Sequence, residues 1–236
     1  MKLHRLTDHC WYSDSAPDTD RPSLGYIVGT NGKSVVVDAG NSEKHYREFL
    51  DLLDSYDLPM PSMCVLTHSH WDHVLGMAAT AVPTIAHVNT QRHLQEMCEW
   101  SPIQVKEFFS ENEFAQIEYK DSLDIHPQIA TISFSSPMTI YLGSIQVQLL
   151  PVINPHSDDG VIIYVPTDGM IYAGDSSAGD FSLPNIAYVP ELFEEYIAFI
   201  TSLDFNWFLH SHREPTDRVQ TLQFLRDAKE RGYYTF

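Results

Sequence analysis

Apolar residues recur along the chain with two different spacings. Between residues 43 and 56, Tyr46, Phe49, Leu50 and Leu53 fall at positions i, i+3, i+4 and i+7, which lie on one face of a helix. Short runs such as 34–37 (SVVV) and 63–66 (MCVL) instead have the length and composition of buried strands. The pattern therefore predicts a mixture of helices and strands.

Similar patterns occur along the rest of the chain. They predict strands at residues 25–28, 34–37, 63–66, 84–88, 139–142, 145–150, 161–165, 170–173 and 207–209. They predict helices at residues 43–56, from about Trp71, at 190–203 and at 215–231, the last with Pro215 in its first turn. Strands and helices that alternate in this way favour a layered α/β sandwich.

The segment 89–137 fits this alternation less well. Residues 89–123 favour helix with mixed polarity, and residues 125–137 are looser. No linker composition marks a boundary, so we expect residues 1–236 to form a single domain. Within it, we expect residues 89–137 to form an inserted lid or an oligomer contact.

The net charge and the lack of long apolar runs argue against nucleic-acid and membrane partners. The 236 residues carry 14 Lys and Arg against 32 Asp and Glu, a net charge of −18 that repels phosphate backbones and anionic lipid. The N-terminus lacks the apolar core of a signal peptide, and no run approaches the ~20 apolar residues of a membrane helix. We therefore expect a cytoplasmic protein with a small-molecule substrate, no nucleic acid and no membrane partner.

One short run concentrates metal-competent side chains. Residues 68–73 read HSHWDH, so His68, His70, Asp72 and His73 lie within six positions. Because residues i and i+2 of an extended chain point to the same side, His68 and His70 can bind one ion. Asp72 and His73 follow where the chain turns into a helix, and they can point to a second ion. Imidazole and carboxylate together suit Zn²⁺, Mn²⁺ or Fe²⁺.

One loop cannot complete two coordination shells, so further ligands must come from elsewhere. His156, Asp175 and His212 each stand at the end of a predicted strand, and such ends converge on one edge of an α/β sheet. His210 competes with His212 for the last position. We prefer His212, which lies at the strand end beside Arg213.

From the strand that ends at Asp38 to His212, the sequence resembles the metallo-β-lactamase superfamily, and its HxHxDH run resembles the hydroxyacylglutathione hydrolase and lactonase branch. The resemblance implies a four-layer αββα sandwich, in which Asp38 supports the ligand loop without binding metal. It also implies two metal ions and their ligands: His68, His70 and His156 for one ion; Asp72, His73 and His212 for the other; and Asp175 as the bridge between them.

The expected activity is hydrolysis of a small-molecule ester, thioester or lactone by a hydroxide that two Zn²⁺ activate, with Fe or Mn as alternative metals. Asp72 could also orient this hydroxide. In the apolar loop 181–188, which is a candidate substrate wall, Tyr188 is a candidate donor to an oxyanion. Trp71 lines the pocket or packs in the core. Asp158 and Asp159 either face the cleft, favouring a cationic or neutral substrate, or are solvated turn residues.

Three alternatives remain open at this point. The HxHxDH run also resembles persulfide dioxygenases, which are mononuclear iron oxidoreductases. A phosphodiesterase of the same fold is a second alternative. A non-catalytic binding protein that retained the fold is a third, against which the complete ligand set argues. A homo-oligomer is compatible with each of them.

Overall fold

The computed structural model describes residues 1–235, which form two β-sheets with helices on their outer faces. The first sheet has seven strands in the order of the chain. They are β1 (Leu3–Arg5), β2 (Cys10–Ser13), β3 (Gly25–Val28), β4 (Ser34–Val37), β5 (Met63–Val65), β6 (Thr84–His87) and β7 (Ile132–Phe134). Neighbours from β1 to β4 pair antiparallel, and those from β4 to β7 pair parallel.

The second sheet has six strands, and in it too each strand lies beside the next one in the chain. They are β8 (Met138–Leu142), β9 (Ile145–Pro151), β10 (Val161–Val165), β11 (Met170–Gly174), β12 (Trp207–His210) and β13 (Thr216–Asp217). Only the pair β11 and β12 is parallel. Within both sheets, the parallel strands bring their carboxyl ends to one edge, which is where ligand sites form in α/β proteins.

Seven α-helices occur within residues 1–235. They are α1 (Glu43–Ser55), α2 (Trp71–Val74), α3 (Val88–Cys98), α4 (Pro102–Glu111), α5 (Glu113–Glu118), α6 (Pro190–Ser202) and α7 (Arg218–Arg231). The Ser42 side chain accepts the backbone N–H of His45 and so caps the start of α1. As its spacing predicts, α1 buries Tyr46, Phe49 and Leu53. Within residues 1–235, no helix is long and apolar enough to cross a bilayer.

Three apolar layers hold the four structural layers together. Tyr46, Phe49 and Leu94 belong to a cluster between the first sheet and α1, α3 and α4. Between the two sheets, Val35 and Val37 pack in one cluster with Leu149 and Ile163. A third cluster joins the second sheet to α6 and α7. This arrangement confirms the mixed α/β sandwich that the sequence predicts.

The structure corrects several element boundaries. The last helix begins at Arg218 and not at Pro215, because residues 216 and 217 pair with β12 as an edge strand. Asp217 then caps α7 through a reciprocal pair of bonds with Gln220. The two N-terminal strands β1 and β2 were not predicted, and the looser segment 125–137 contains β7, which pairs with β6.

Candidate metal centre

Three histidines from two loops form the first group of candidate ligands. His68 and His70 follow β5, and His156 lies in the loop between β9 and β10. Nε2 of His156 lies 2.9 Å from Nδ1 of His70, and the ring centroids of His68 and His156 are 5.1 Å apart. One nitrogen from each residue lies within 4.8 Å of the others, which is compact enough to hold one ion.

A second group, of two carboxylates and two histidines, lies beside the first. Its members are Asp72, His73, Asp175 and His212, again with one ligand atom each within 4.8 Å of the others. Oδ2 of Asp72 lies 3.0 Å from Nε2 of His212 and 3.1 Å from Nε2 of His73. The structure therefore brings all seven predicted ligands into these two groups.

Asp175 lies between the two groups. Its Oδ2 atom is 3.3 Å from Nε2 of His212 and 3.5 Å from Nε2 of His73. The same oxygen lies 3.9 Å from Nε2 of His156, which belongs to the first group. One carboxylate oxygen thus approaches histidines of both groups.

Unpaired buried atoms show that these residues fit metal ions. Nε2 of His68 and Oδ1 of Asp175 are buried without a hydrogen-bond partner among residues 1–235. Leaving such an atom unpaired costs roughly 1–3 kcal/mol. Divalent cations would satisfy these atoms, and imidazole with carboxylate is the donor set of zinc and related metals.

Burial sets the protonation of the first group. It lowers the pKa of His68 well below the usual value, and the neighbouring imidazoles of His73 and His70 lower it further. Burial and the His70 ring likewise lower the pKa of His156 to about 4. Both rings are therefore neutral at pH 7, so they need lose no proton to bind a metal.

In the second group, neighbouring charges outweigh burial in setting the protonation of the ligands. Burial alone would lower the pKa of His212, but the carboxylates of Asp175 and Asp72 outweigh it and raise this pKa to about 10. Burial alone would raise the pKa of Asp72, yet His73 and His212 hold it well below its ordinary range. This half of the site is therefore carboxylate and imidazolium, and a bound cation would displace protons from its histidines.

Asp38 holds the ligand loop in place through hydrogen bonds to Thr67 and His73. Its Oδ1 accepts the backbone N–H of Thr67 at 2.7 Å, and its Oδ2 accepts the Thr67 hydroxyl at 2.8 Å. Oδ2 also lies 2.8 Å from Nδ1 of His73, which fixes that ring with Nε2 toward the second group. This geometry agrees with the supporting role that the family resemblance implies for Asp38.

Gly174 makes room for the same loop. It has φ of +55°, and a Cβ atom there would lie 2.5 Å from Oγ1 of Thr67. The glycine therefore lets β11 approach the Thr67 side chain and deliver Asp175 to the site.

Sequence reasoning missed two residues near the second group. Oδ1 of Asp20 lies 3.6 Å from Nδ1 of His212, and burial and then Asp72 raise the pKa of Asp20 to about 6. His45, on α1, is fully buried, and neither of its ring nitrogens has a hydrogen-bond partner within residues 1–235. Both residues lie far in sequence from the HSHWDH run, so no local pattern marks them.

His210 and Tyr188 lie outside both groups. The backbone N–H of His212 donates to Nδ1 of His210, and Nε2 of His210 lies 3.2 Å from the Tyr234 hydroxyl, which agrees with the choice of His212 as the ligand. The Tyr188 hydroxyl donates to the Ser177 carbonyl, and its ring stacks on Phe193 at 4.0 Å. The expectation that Tyr188 donates to an oxyanion is therefore not supported.

The remaining candidates lie around the first group. Trp71 packs edge-on against Phe108, with ring centroids 5.7 Å apart. Asp158 and Asp159 both line a cavity beside His70, so the interpretation as two solvated turn residues is wrong for Asp159, which is 1 % exposed. From the loop 181–188, the Phe181 ring approaches that of His156, with centroids 5.3 Å apart.

Comparison with known proteins gives one family and several similar folds. A family model described as the metallo-beta-lactamase superfamily matches residues 18–220. No curated protein matches the chain by sequence. A solved metallo-beta-lactamase from Pontibacter korlensis is similar with a TM-score of 0.65 at 18% identity, over 96% of this chain and 99% of that one.

Two further solved structures are similar at lower identity. The DIM-1 metallo-beta-lactamase gives a TM-score of 0.66 at 13% identity over 98% of both chains. The sec-alkylsulfatase Pisa1 from Pseudomonas sp. gives 0.71 at 11% identity over 97% of this chain and 41% of that one. At such identities the likeness shows the fold and leaves the substrate open.

Proposed function

The chain belongs to the metallo-beta-lactamase superfamily, and on that premise we propose that it is a dinuclear metal-dependent hydrolase of a small-molecule ester, thioester or lactone. The superfamily consists mostly of metal-dependent hydrolases. The observation that carries the proposal is the pair of adjoining ligand groups with Asp175 between them.

Each proposed ion has a distinct set of ligands. His68, His70 and His156 would hold the first ion, and Asp72, His73 and His212 would hold the second. The approach of one Asp175 oxygen to histidines of both groups supports its role as the bridge. Bound Zn²⁺ would lower the pKa of water to about 7 and polarise the oxygen of the substrate carbonyl.

The protein supplies orientation and proton acceptance at this site. Oδ2 of Asp72 lies 3.1 Å from Nε2 of His73 and 3.0 Å from Nε2 of His212, and we propose that this carboxylate also orients the attacking water. Asp20 adds a partly exposed carboxyl group beside His212, with Oδ1 3.6 Å from Nδ1 of that ring, and we propose that it can accept a proton there. The ring of Phe181 beside His156 would form an apolar wall for the substrate.

Charge favours carbonyl substrates over phosphodiesters. The chain has a net charge of −18, and Glu96, Asp158 and Asp159 line the cavity beside His70. Such a surface disfavours anionic substrates by like-charge repulsion. We therefore propose a substrate of the lactonase type, with neutral esters and lactones ahead of anionic ones, and we propose zinc as the native metal.

The direct test compares hydrolysis by metal-loaded protein with that of a ligand variant. We expect turnover of neutral aryl esters or lactones by the wild type. His156→Ala should reduce it more than about 100-fold, beyond the 10–100-fold that an outer-shell partner is worth. His126→Ala is the matched control, because the His126 side chain is 62% exposed and belongs to neither ligand group.

The outcomes separate the proposal from its alternatives. Turnover only of phosphodiesters would replace the carboxylic ester with a phosphoryl substrate. About one iron per chain together with oxygen-dependent consumption of a persulfide would replace the hydrolase with a dioxygenase. Full activity in His156→Ala would contradict the assignment of the first group.

A further inference from the structure

We propose that the helices of residues 88–118 line a binding site for the apolar chain of the substrate, which extends from His70 past Trp100 into a second cavity. The identity of the ligand as a substrate rests on the proposed function. The site itself rests on two cavities that share one aromatic side chain.

The first cavity adjoins the metal-ligand loop. It has a volume of about 330 Å³ and is lined by Ser69 and His70 on one side. Met97 and Trp100, from α3 and the residues just after it, line the other side. His70 is a proposed ligand of the first ion, so an occupant of this cavity lies next to the candidate metal centre.

The second cavity is larger and lies entirely within the segment 89–137. It has a volume of about 840 Å³. Its lining combines apolar side chains with one basic and one acidic side chain: Trp100, Val105, Phe109, Leu123 and Ile125, with Lys106 and Asp124. Trp100 lines both cavities, so the two adjoin at this side chain. Their volumes lie within the roughly 300–1,000 Å³ typical of small-molecule sites.

A chain of aromatic rings fixes this junction relative to the ligand loop. The ring of Trp71, within the HSHWDH run, contacts Phe108 with centroids 5.7 Å apart. Phe108 in turn contacts Trp100, also at 5.7 Å. The junction between the cavities is therefore packed against the loop that carries four of the seven proposed ligands.

Acidic groups restrict the charge of the occupant. Glu96, Asp158 and Asp159 line the first cavity. Asp158 is paired with Arg92 and His93, but both carboxylate oxygens of Asp159 are buried without a hydrogen-bond partner within residues 1–235. Among residues 1–235, three acidic side chains and no Lys or Arg line the first cavity, so the site suits a neutral or cationic molecule with an apolar chain better than an anion.

The binding test requires no catalysis. N-phenyl-1-naphthylamine is a neutral apolar fluorophore, and 1-anilinonaphthalene-8-sulfonate carries a similar ring system with a negative charge. We expect the protein of residues 1–236, as purified, to bind the neutral probe saturably at one site. We expect at least about tenfold weaker binding of the anionic probe, which corresponds to about 1.4 kcal/mol.

Two substitutions on the same helix distinguish the cavity from the surface. Val105→Phe fills the second cavity, whereas Ile103→Phe enlarges a side chain that is 69% exposed and does not line it. We expect Val105→Phe to weaken binding of the neutral probe at least about tenfold and Ile103→Phe to leave it unchanged, with equal thermal transitions for both variants. No saturable binding, equal effects of the two variants, or tighter binding of the anionic probe would overturn the inference.

A series of neutral p-nitrophenyl esters then connects the site to turnover. If the acyl chain of the ester enters the cavities, kcat/KM of the metal-loaded wild type should rise up to about fourfold for each methylene added to that acyl chain. Val105→Phe should reduce this dependence on chain length. If hydrolysis does not depend on the length of the acyl chain, the inferred binding site is wrong but the protein is still a hydrolase. If Val105→Phe abolishes probe binding and the protein hydrolyses no ester or lactone, the apolar binding site is supported and the proposed function is wrong.

Discussion

Oδ2 of Asp38 lies 2.8 Å from Nδ1 of His73, and both side chains are buried at the end of the first sheet. This contact joins the loop after β4 to the ligand loop after β5. Asp38 adopts a left-handed backbone conformation, with φ of +66°, which costs energy in a residue other than glycine. The hydrogen bonds of this one carboxylate to Thr67 and His73 offset the cost of the strained backbone and of burying the side chain.

Replacing Asp38 should therefore weaken metal binding although Asp38 is not a proposed ligand. We expect Asp38→Ala to lower metal affinity by about 10–100-fold, because His73 loses the acceptor that fixes its ring. Competition with a chromophoric chelator measures the affinity. Asp8→Ala is the control, since the Asp8 side chain is 87% exposed. Equal affinities for the two variants would show that Asp38 does not organise the site.

Arg21 should be important for stability because it joins three parts of the chain. Its guanidinium binds both oxygens of Glu118 on α5, at 2.9 and 2.7 Å, and contacts Glu48 on α1 at 2.6 Å. The Glu118 side chain is only 3% exposed, so removing its partner leaves a buried charge. We expect Arg21→Met to reduce the free energy of unfolding by roughly 3–5 kcal/mol.

Urea denaturation of the Arg21 variant can be compared with that of a surface pair. Arg47 binds Glu43 one helical turn away, and its side chain is 62% exposed. Arg47→Met should therefore cost no more than about 0.5 kcal/mol. Similar losses in both variants would mean that the Arg21 contacts contribute no more than an exposed ion pair.

Asp168 should make stability depend on pH. Burial alone would raise its pKa, but hydrogen bonds from the Thr7 hydroxyl and from the backbone and ring of His9 outweigh burial and lower this pKa. A lowered folded-state pKa means that the contribution is complete above the unfolded value of about 3.9 and is lost as the pH falls through the folded value.

Denaturation of metal-free protein can measure this contribution. We expect Asp168→Ala to lose about 1–3 kcal/mol relative to the wild type at neutral pH. The difference should shrink once the pH falls below about 4. Asp51→Ala, at an exposed position on α1, is the control and should show neither effect. A difference that stays constant down to strongly acidic pH would contradict the account of Asp168.

Tyr188 should be dispensable for catalysis. Its hydroxyl donates to the Ser177 carbonyl in the interior, so Tyr188→Phe should cost about 1 kcal/mol of stability from the lost hydrogen bond. Turnover per bound metal should remain that of the wild type. A large fall in kcat with unchanged metal content would instead restore Tyr188 to the reacting centre.

The sequence predicts the site well where its ligands carry a local signal. Four proposed ligands lie within residues 68–73, and His156, Asp175 and His212 each follow a strand that its own composition identifies. Asp20 carries no such signal, because it reaches His212 only through the folding of the N-terminal loop. The sequence could not place the Tyr188 hydroxyl, because an aromatic residue in a loop looks the same in sequence whether its hydroxyl faces a cleft or a buried carbonyl.

The fold was predictable to a similar extent and for similar reasons. Helix α1 and the central strands have strong periodicity, so their positions agree with the structure within a few residues. The strand β7 is three residues long with only Phe134 buried, and it exists because β6 offers it a free edge. The start of α7 likewise depends on pairing between β12 and β13, which no local pattern encodes.

The measurement that tests the central claim most directly is metal content by elemental mass spectrometry, on protein purified without added metal. We expect about two zinc ions per chain in the wild type, as for other two-metal hydrolytic sites. We expect about one ion in His70→Ala, which removes a ligand of the first group, and about one in His212→Ala, which removes a ligand of the second. No bound metal in the wild type even after reconstitution, or an unchanged content in both variants, would contradict this claim.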